Sequence, residues 1–584
     1  MATADQGMTP AQTGRPTICL TMIVRDEAHI VPEVIAAVAP LIDSWVIVDT
    51  GSTDGTQDLI RRLMAERGIP GTLYERPWHN FGHNRSEALR LAQGSADYIW
   101  VMDADDTVTG TIDFSSLTAD AYSMRIRDGV TYWRLQLFRN GVPWRYLGAL
   151  HEVAVCDTPC HQEQLEGDYS IVSRRLGARS RDPQRYVRDA ELMQAEVDRD
   201  PDDRRSVFYL AQSYFWAGDM ARARQWFVRR AEMGGWEEEV FFSMVRAAEV
   251  MDGLGEPWPA VQDAYLRAWS QRPTRAEPLY AIAHHYRIAG QYRLGHFFAE
   301  RAAQIPLPPS DVLFVNTSVY EWRALDEQAV CGSWIGKSAE SFAICRRLLA
   351  RADLPDDDRQ RIAANRDLAV PQMLEIASAT PLDLPARLAG GGSADVTVSL
   401  IAGPDRAATE YALNSFLNSC LDRDRIGRYL VCDAGLSAAD RFALLERYPF
   451  LEFGPRPSGL AAGAELCEIR RHGSGHYWLE LGQGWRFFAP ERLLTRLISV
   501  FDAEPEILQV GVNVEDAHAL TGRCTAERDV RRTADGGRYA LSTALVTGPA
   551  MVHVARFVAA GGETFSAEPV PLRTATLDEV LCLL

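Results

Sequence analysis

Tyr98-Ile-Trp-Val-Met-Asp-Ala-Asp-Asp106 is an apolar strand that ends abruptly in three carboxylates. Side chains alternate along a strand with a period of two, so the reading places Asp103 and Asp105 on one side and Ala104 on the other. Two hard oxygen ligands on one side suit Mg²⁺ or Mn²⁺, ions that keep their other positions for water and phosphate oxygens. The bland alternative is a strand followed by an acidic turn, since Asp is common in turns.

Working outward, Thr17 to Val24 (TICLTMIV) reads as a buried strand, followed by Arg25-Asp26-Glu27 and a helical pattern from Ile30 to Val38. Trp45 to Asp49 reads as a second strand, running into Thr50-Gly-Ser-Thr-Asp-Gly-Thr56 and a helix over Gln57 to Arg67. Gly51 and Gly55 permit backbone angles closed to other residues, and Ser52, Thr53 or Asp54 can cap the helix. Strand, glycine loop and helix open a nucleotide-binding α/β layer, in which ligands sit beyond the carboxyl ends of the strands, where Asp49 and Asp103 both fall.

Taken together, CLTMIVRDEAHI (19 to 30), VIVDTGSTDGT (46 to 56), FGHNRSEALRLA (81 to 92) and YIWVMDADD (98 to 106) resemble the family-2 glycosyltransferases of GT-A fold. The run YWRLQLFRNGVPWRYLGALHE (132 to 152) is similar to the subgroup carrying helical repeats after the catalytic domain. The resemblance implies inverting transfer of a sugar from a nucleotide donor, UDP-sugar first, with a divalent ion bridging the Asp-x-Asp motif and the diphosphate. Asp105 is the first candidate for that ion, and Asp103 reaches either the metal or the ribose. By the same resemblance Asp49 lies under base and ribose with Asp54 in the same donor loop, His151 is a candidate third ligand, and Glu152 is a candidate general base with Asp128 as its rival. Relatives often carry two adjacent aspartates where this chain has Asp49-Thr50, which leaves the base contact open. The chain has one lysine, Lys337, so the cations for donor oxygens are arginines, Arg25 and Arg85 first. The enzyme reading depends on the acids of this motif facing a cleft rather than being locked in ion pairs with arginines.

The 584 residues suggest three or more domains at roughly 150 residues each. A composition of 47% hydrophobic and 24% charged residues is that of a globular chain, and a net charge of -18 argues against a nucleic-acid partner. No apolar run approaches the roughly 20 residues a membrane span needs, and the opening MATADQGMTPAQTGRPT lacks a signal-peptide core, so a cytoplasmic enzyme with a soluble donor is expected. Ten scattered cysteines suit reduced buried thiols, and the Cys156, Cys160, His161 group is a weak metal pattern.

From Asp182 the texture turns helical. Pro201 and Pro273 are 72 apart (273 − 201), as are Gly218 and Gly290 (290 − 218), with Gly253 and Gly255 near the midpoint. Units 206–233 and 276–305 share a helix, a Gly turn and a second helix, with a divergent unit from Trp236 to Gln271, which looks like tetratricopeptide repeats of about 34 residues. Such arrays present a concave face to an extended acceptor, a protein, peptide or glycan. Tyr214, Trp216 and Tyr286 either line that face or belong to the core, and His284 and His285 are packing or surface residues.

The expected organisation is a disordered N-terminus (1–15), a GT-A-like domain (16–180), the repeats (181–375), a linker (376–394) and a second α/β domain (395–584). In the last, Val396 to Ile401 is a strand, Tyr429 to Gly435 mirrors Trp45 to Gly51 with Asp433 on Asp49, and 476–484 lies over 97–105 without a gap. Gly482 and Gly484 then stand where Asp103 and Asp105 were, so this second GT-A-like copy is degenerate and without a metal site. Rival functions are synthesis of a surface glycan or lipid-linked saccharide, and a non-enzymatic repeat scaffold with a vestigial nucleotide-sugar pocket.

Overall fold

The computed structural model describes residues 15–128, 130–174, 176–381, 388, 395–454, 475–513, 529–542, 546, 548–560, 574–579 and 581–583. The expected disordered tail lies outside them up to residue 14, as does most of the expected linker beyond residue 381. The chain divides into two compact units, residues 1–273 with 308–315 and residues 274–307 with 316–584. The division falls inside the helical series rather than at either of its ends.

The first unit alternates β1 (Ile18–Val24), α1 (Val31–Val38), β2 (Ser44–Asp49), α2 (Thr56–Glu66), β3 (Gly71–Glu75), α3 (Phe81–Leu91) and β4 (Tyr98–Val101). Then come β5 (Asp106–Gly110), β6 (Ala121–Asp128), β7 (Val130–Arg139), β8 (Trp144–Leu147), β9 (Val153–Cys156), β10 (Gln162–Gln164) and β11 (Tyr169–Ser173). The main sheet runs β3-β2-β1-β4-β7-β6-β11-β5 with β10 on β6, while β8 and β9 form a separate hairpin. The first four strands are parallel, and β7 enters antiparallel to β4.

Strand alternation sorts the core. Ile18, Leu20 and Met22 of β1, Ile47 and Trp100 face α1 and α2 through Val31, Ile35, Ile60 and Met64. Cys19, Val46, Ile99 and Val101 point the other way, against Leu89, Phe138 and Trp144. Each such fully buried aliphatic contributes about 1.5–3 kcal/mol, so a one-residue register slip would exchange the two faces.

Helices α4 (Arg185–Arg199), α5 (Arg204–Trp216), α6 (Met220–Glu232), α7 (Glu237–Gly253) and α8 (Trp258–Gln271) complete this unit. The second unit begins with α9 (Glu277–Ile288), α10 (Tyr292–Ala303), α11 (Ala324–Trp334), α12 (Ser338–Leu349), α13 (Asp356–Leu368) and α14 (Val370–Ser378). The repeat shows in the closures of α5, α7 and α9, where Gly218, Gly255 and Gly290 take φ of 82°, 73° and 70°. The amide after each glycine returns to a carbonyl five residues earlier: Asp219 to Tyr214 at 3.0 Å, Glu256 to Met251 at 3.0 Å and Gln291 to Tyr286 at 2.8 Å. A left-handed residue satisfies the last helical carbonyls at little strain only if it is glycine. This is a tetratricopeptide-like helical array. Tyr214 and Tyr286 are core and Trp216 is exposed, with its ring stacked near Tyr186. His284 is exposed and bonds Glu327 at 2.7 Å.

The carboxyl-terminal sheet runs β14-β13-β12-β15-β20-β17-β21-β19-β18. Its strands are β12 (Val396–Ala402), β13 (Ile426–Asp433), β14 (Leu451–Phe453), β15 (Tyr477–Glu480), β17 (Gln509–Gly511), β18 (Arg531–Arg532), β19 (Arg538–Ser542), β20 (Ala550–His553) and β21 (Thr574–Leu577), while β16 (Arg486–Phe487) pairs with β22 (Cys582–Leu583). Third, second, first, fourth, then an antiparallel strand repeats the order of the first sheet. Registers agree as well: Ile18 opposes Tyr98 as Val396 opposes Tyr477, and Val24 opposes Asp49 as Ala402 opposes Asp433. The gap-free alignment of 476–484 on 97–105 therefore agrees with the strand registers, which set β15 in the place of β4.

Candidate functional site at the carboxyl edge of the first sheet

Asp49 ends β2 and is 1% exposed. Its Oδ1 accepts the amides of Gly51 and Ser52, each at 2.9 Å, and Gln57 Nε2 at 3.2 Å, which fixes the loop. Gly51 takes φ of 108°, which lets the chain reverse around that oxygen. Oδ2 is buried and has no partner among the described residues, and a carboxylate oxygen left so is an acceptor available to a ligand. Asp433 repeats the turn, its Oδ1 accepting from Gly435 and Leu436 at 3.0 and 2.8 Å.

Asp54 does not cap α2. The cap is Gly55, left-handed at φ 85° and without a side-chain bond. Asp54 instead ties two loops together, its Oδ1 accepting the Thr56 amide at 3.0 Å and its Oδ2 the Ala28 amide at 3.0 Å. Although burial opposes ionisation, these bonds hold its carboxyl below the usual range. Asp26, at φ 55°, joins the same network by accepting from the Thr53 amide at 2.7 Å. Arg25 is exposed, its nearest acid being Asp26 at 4.0 Å.

β4 stops at Val101, one residue before Met102. Asp103 to Asp106 is a turn closed by the Asp106 amide on the Asp103 carbonyl at 3.2 Å. The period-two argument therefore does not reach Asp103 and Asp105, and their carboxylates take different partners. Asp103 is bridged by two guanidiniums, Arg85 from α3 and Arg134 from β7, the latter at 3.0 Å. Burial opposes its ionisation, but the two arginines hold it well below the usual carboxylate range. Arg134 also bonds fully buried Asp106 at 3.1 Å. Burial first, and then repulsion from Asp103, push the Asp106 carboxyl up to about 7. Asp105 accepts the Gly177 amide through Oδ2 at 3.1 Å and forms no ion pair among the described residues.

Arg85 also pairs with Glu152 at 2.5 Å and lies 5.9 Å from the centroid of the Tyr146 ring. The close approach of α3 to the turn after β8 arranges this. The Phe81 amide bonds the Ala149 carbonyl at 3.1 Å and the Tyr146 amide bonds Ser86 Oγ at 2.9 Å. A Cβ on Gly82 would strike the Gly148 carbonyl oxygen. Glycine at 82 thus sets Glu152 beside Arg85.

His151 takes φ of 52°, stacks on Tyr209 of α5 with centroids 4.0 Å apart, and its carbonyl accepts from Arg205 at 2.8 Å. Desolvation of the stacked ring first, then Arg179 and Arg205, push its pKa down to about 4. No group of three or more His, Cys, Asp or Glu among the described residues is placed to hold a metal. Asp103, Asp105 and His151 are therefore not gathered as a ligand set, and neither is Cys156, Cys160 and His161. Asp128 is the last residue of β6, and its side chain lies outside the described residues.

So Arg85, Asp103 and Glu152 come together, Asp49 lies at the end of β2, separated from β4 by β1, and His151 stacks on α5. Sequence reasoning missed Arg134. Its signal was a charged residue inside an otherwise sheet-forming run, with buried Gln136 two positions on.

Residues 19–120 match the family described as Glycosyl transferase family 2. A TPR repeat-containing protein of Synechococcus elongatus is 27% identical over 315 residues, 49% of this chain and 74% of that protein. Among solved structures, MamA matches at 13% identity and a TM-score of 0.23 over 27% of this chain and 84% of that one. YrrB, a TPR protein with an unusual peptide-binding site, matches at 13% identity and a TM-score of 0.25 over 31% and 84%. Likeness at those TM-scores bears on neither the fold nor the function of this chain. Among the described residues no helix is long and apolar enough to cross a membrane. Residues 19–120 thus carry the match to Glycosyl transferase family 2, in a chain that continues through tetratricopeptide-like helices into a second α/β sheet.

Proposed function

We propose that the first unit binds a nucleotide sugar, UDP-sugar as first choice, and transfers its glycosyl group with inversion to a protein, peptide or glycan acceptor. The observation that carries this reading is the placement of Asp49 at the carboxyl end of β2 and of Asp103, with its two arginines, just past that of β4, the two parallel strands that flank β1, at the edge where α/β sheets bind ligands. Asp49 Oδ2 accepts from the base or ribose. The forks of Arg85 and Arg134 take the diphosphate oxygens, shifting from Asp103 as charge grows on the departing group. Glu152, held beside Arg85, takes the acceptor proton.

Of the groups expected to hold Mg²⁺ or Mn²⁺, Asp105 fits, since it carries no ion pair among the described residues and such ions need one or two carboxylates besides phosphate. Asp103 and His151, as arranged, do not. A bound ion would supply Lewis-acid stabilisation of the diphosphate. The acceptor rests partly on the helices, where exposed Trp216 beside Tyr186 supplies an aromatic surface. A cytoplasmic location accords with a soluble donor.

The enzyme reading asked for acids free of arginine ion pairs, and Asp103, clamped by Arg85 and Arg134, does not meet that condition, which favours a second reading, a repeat scaffold with a vestigial pocket. Hydrolysis of UDP-, GDP- and dTDP-sugars, with Mn²⁺, with Mg²⁺ and with chelator, separates the two. Turnover that falls at least tenfold in Arg134→Ala and in Asp105→Ala, with folding intact, supports the enzyme. Absence of turnover and of nucleotide binding with every donor supports the scaffold.

A further inference from the structure

The second unit holds a cleft of about 880 Å³ between one face of α12, the amino end of the helix Leu493–Ala503, and the turn joining β18 to β19. On α12 the small side chains of Ala339 and Ala343 open the space, and Arg346 and Arg347 follow one turn later. Seven arginines and four acids line it, leaving three positive charges in a chain whose net charge is -18.

Pairing accounts for only part of this excess. Arg346 and Arg496 share Glu491 and Glu579, and Arg538 pairs with Asp578. Arg366 takes Asp367, which does not line the cleft. Arg359 donates to the carbonyls of Leu349 and Arg351. Arg347 and Arg492 are both exposed, and their guanidiniums form no ion pair or hydrogen bond among the described residues. The local field is cationic even at its acids: burial opposes ionisation of Glu579, yet Arg346 and Arg496 hold it well below the usual carboxylate range.

We propose that this cleft is a binding site for a phosphorylated small molecule carrying two or more negative charges, with Arg347 and Arg492 as its direct ligands. Its volume is that of an ordinary small-molecule pocket, and forked guanidiniums suit phosphate oxygens. The site is separate from the edge of the first sheet and does not depend on the activity proposed there.

Calorimetric titration of the full chain with inorganic pyrophosphate, at constant ionic strength set with chloride, tests this. The expected result is an isotherm whose affinity falls at least tenfold in Arg347→Ala/Arg492→Ala and in Ala343→Trp, which fills the cleft without changing its charge. The same component should persist in Asp105→Ala, which alters only the first unit. Ala343, Arg347 and Arg492 are exposed and Asp105 is partly so, and folding, checked by circular dichroism, should survive. Pyrophosphate binding that is absent, or unchanged in the double variant, or unaffected by Ala343→Trp, overturns the proposal; the last outcome would mean diffuse charge attraction rather than a site.

Discussion

Replacing Arg85 by alanine tests whether the network at the sheet edge is a structural unit. The Arg85 side chain is 11% exposed, and its two partners, Asp103 and Glu152, are 24% and 12% exposed. Removing one partner of a buried pair costs about 3–5 kcal/mol, because a charge is left without compensation. Asp103 would keep Arg134, whereas Glu152 has Arg85 as its ion-pair partner among the described residues, so most of the penalty falls on Glu152. Allowing for water reaching these partly open side chains, about 2–3 kcal/mol is expected. At about 2–4 °C per kcal/mol for a unit of this size, the first unit's transition should drop by about 4–12 °C. Scanning calorimetry reads the shift, and hydrogen exchange over α3 and β7 locates it. Glu152→Gln in the Arg85→Ala background should recover at least half of the loss, since the orphaned charge is gone, and the cycle should show coupling of about 1–2 kcal/mol. An Arg85→Ala protein that melts with the wild type, or a double variant whose losses simply add, would refute the reasoning.

Gly82→Ala should cost about 1–3 kcal/mol, the usual range for overpacking, because its Cβ meets backbone rather than a yielding side chain. It should also reduce donor hydrolysis by displacing Glu152 from Arg85, and wild-type rates in a folded Gly82→Ala protein would contradict this. Glu480 ends β15 and burial pushes its carboxyl up to about 7 from the ordinary 4.5. The native state then prefers the protonated form, so stability is full below pH 4.5, falls between there and about 7, and is lost above. At 1.36 kcal/mol per unit the change is about 3 kcal/mol, and Glu480→Gln should flatten it in urea titrations of the second unit at pH 5 and pH 8. A variant whose pH profile parallels the wild type would show that Glu480 titrates normally.

Much of the fold was legible because its signals are local. The periodicity of TICLTMIV and the glycine loop after Asp49 located β1, β2 and their helices to within a residue. A spacing of 72 located the left-handed glycines at 218 and 290, and the gap-free alignment of 476–484 on 97–105 anticipated the matching sheets. Each of these rests on hydrogen bonding or side-chain alternation that acts over a few residues, and such regularities are written directly in the order of residue types.

The site was legible only as a set of parts. Where β4 would stop could not be read from an apolar run continuing through Met102, and beyond that stop Asp103 and Asp105 take different partners. Arg134 is 31 residues from Asp103 in the chain and meets it only because β7 lies beside β4 in the sheet. Glu152 reaches Arg85 only because Gly82 lets the turn after β8 approach α3. The chain by itself determined its elements, its repeat and its duplicated sheet. Tertiary structure decided which charges meet, since a Coulomb interaction depends on distance in space, and strand order, not sequence separation, sets that distance.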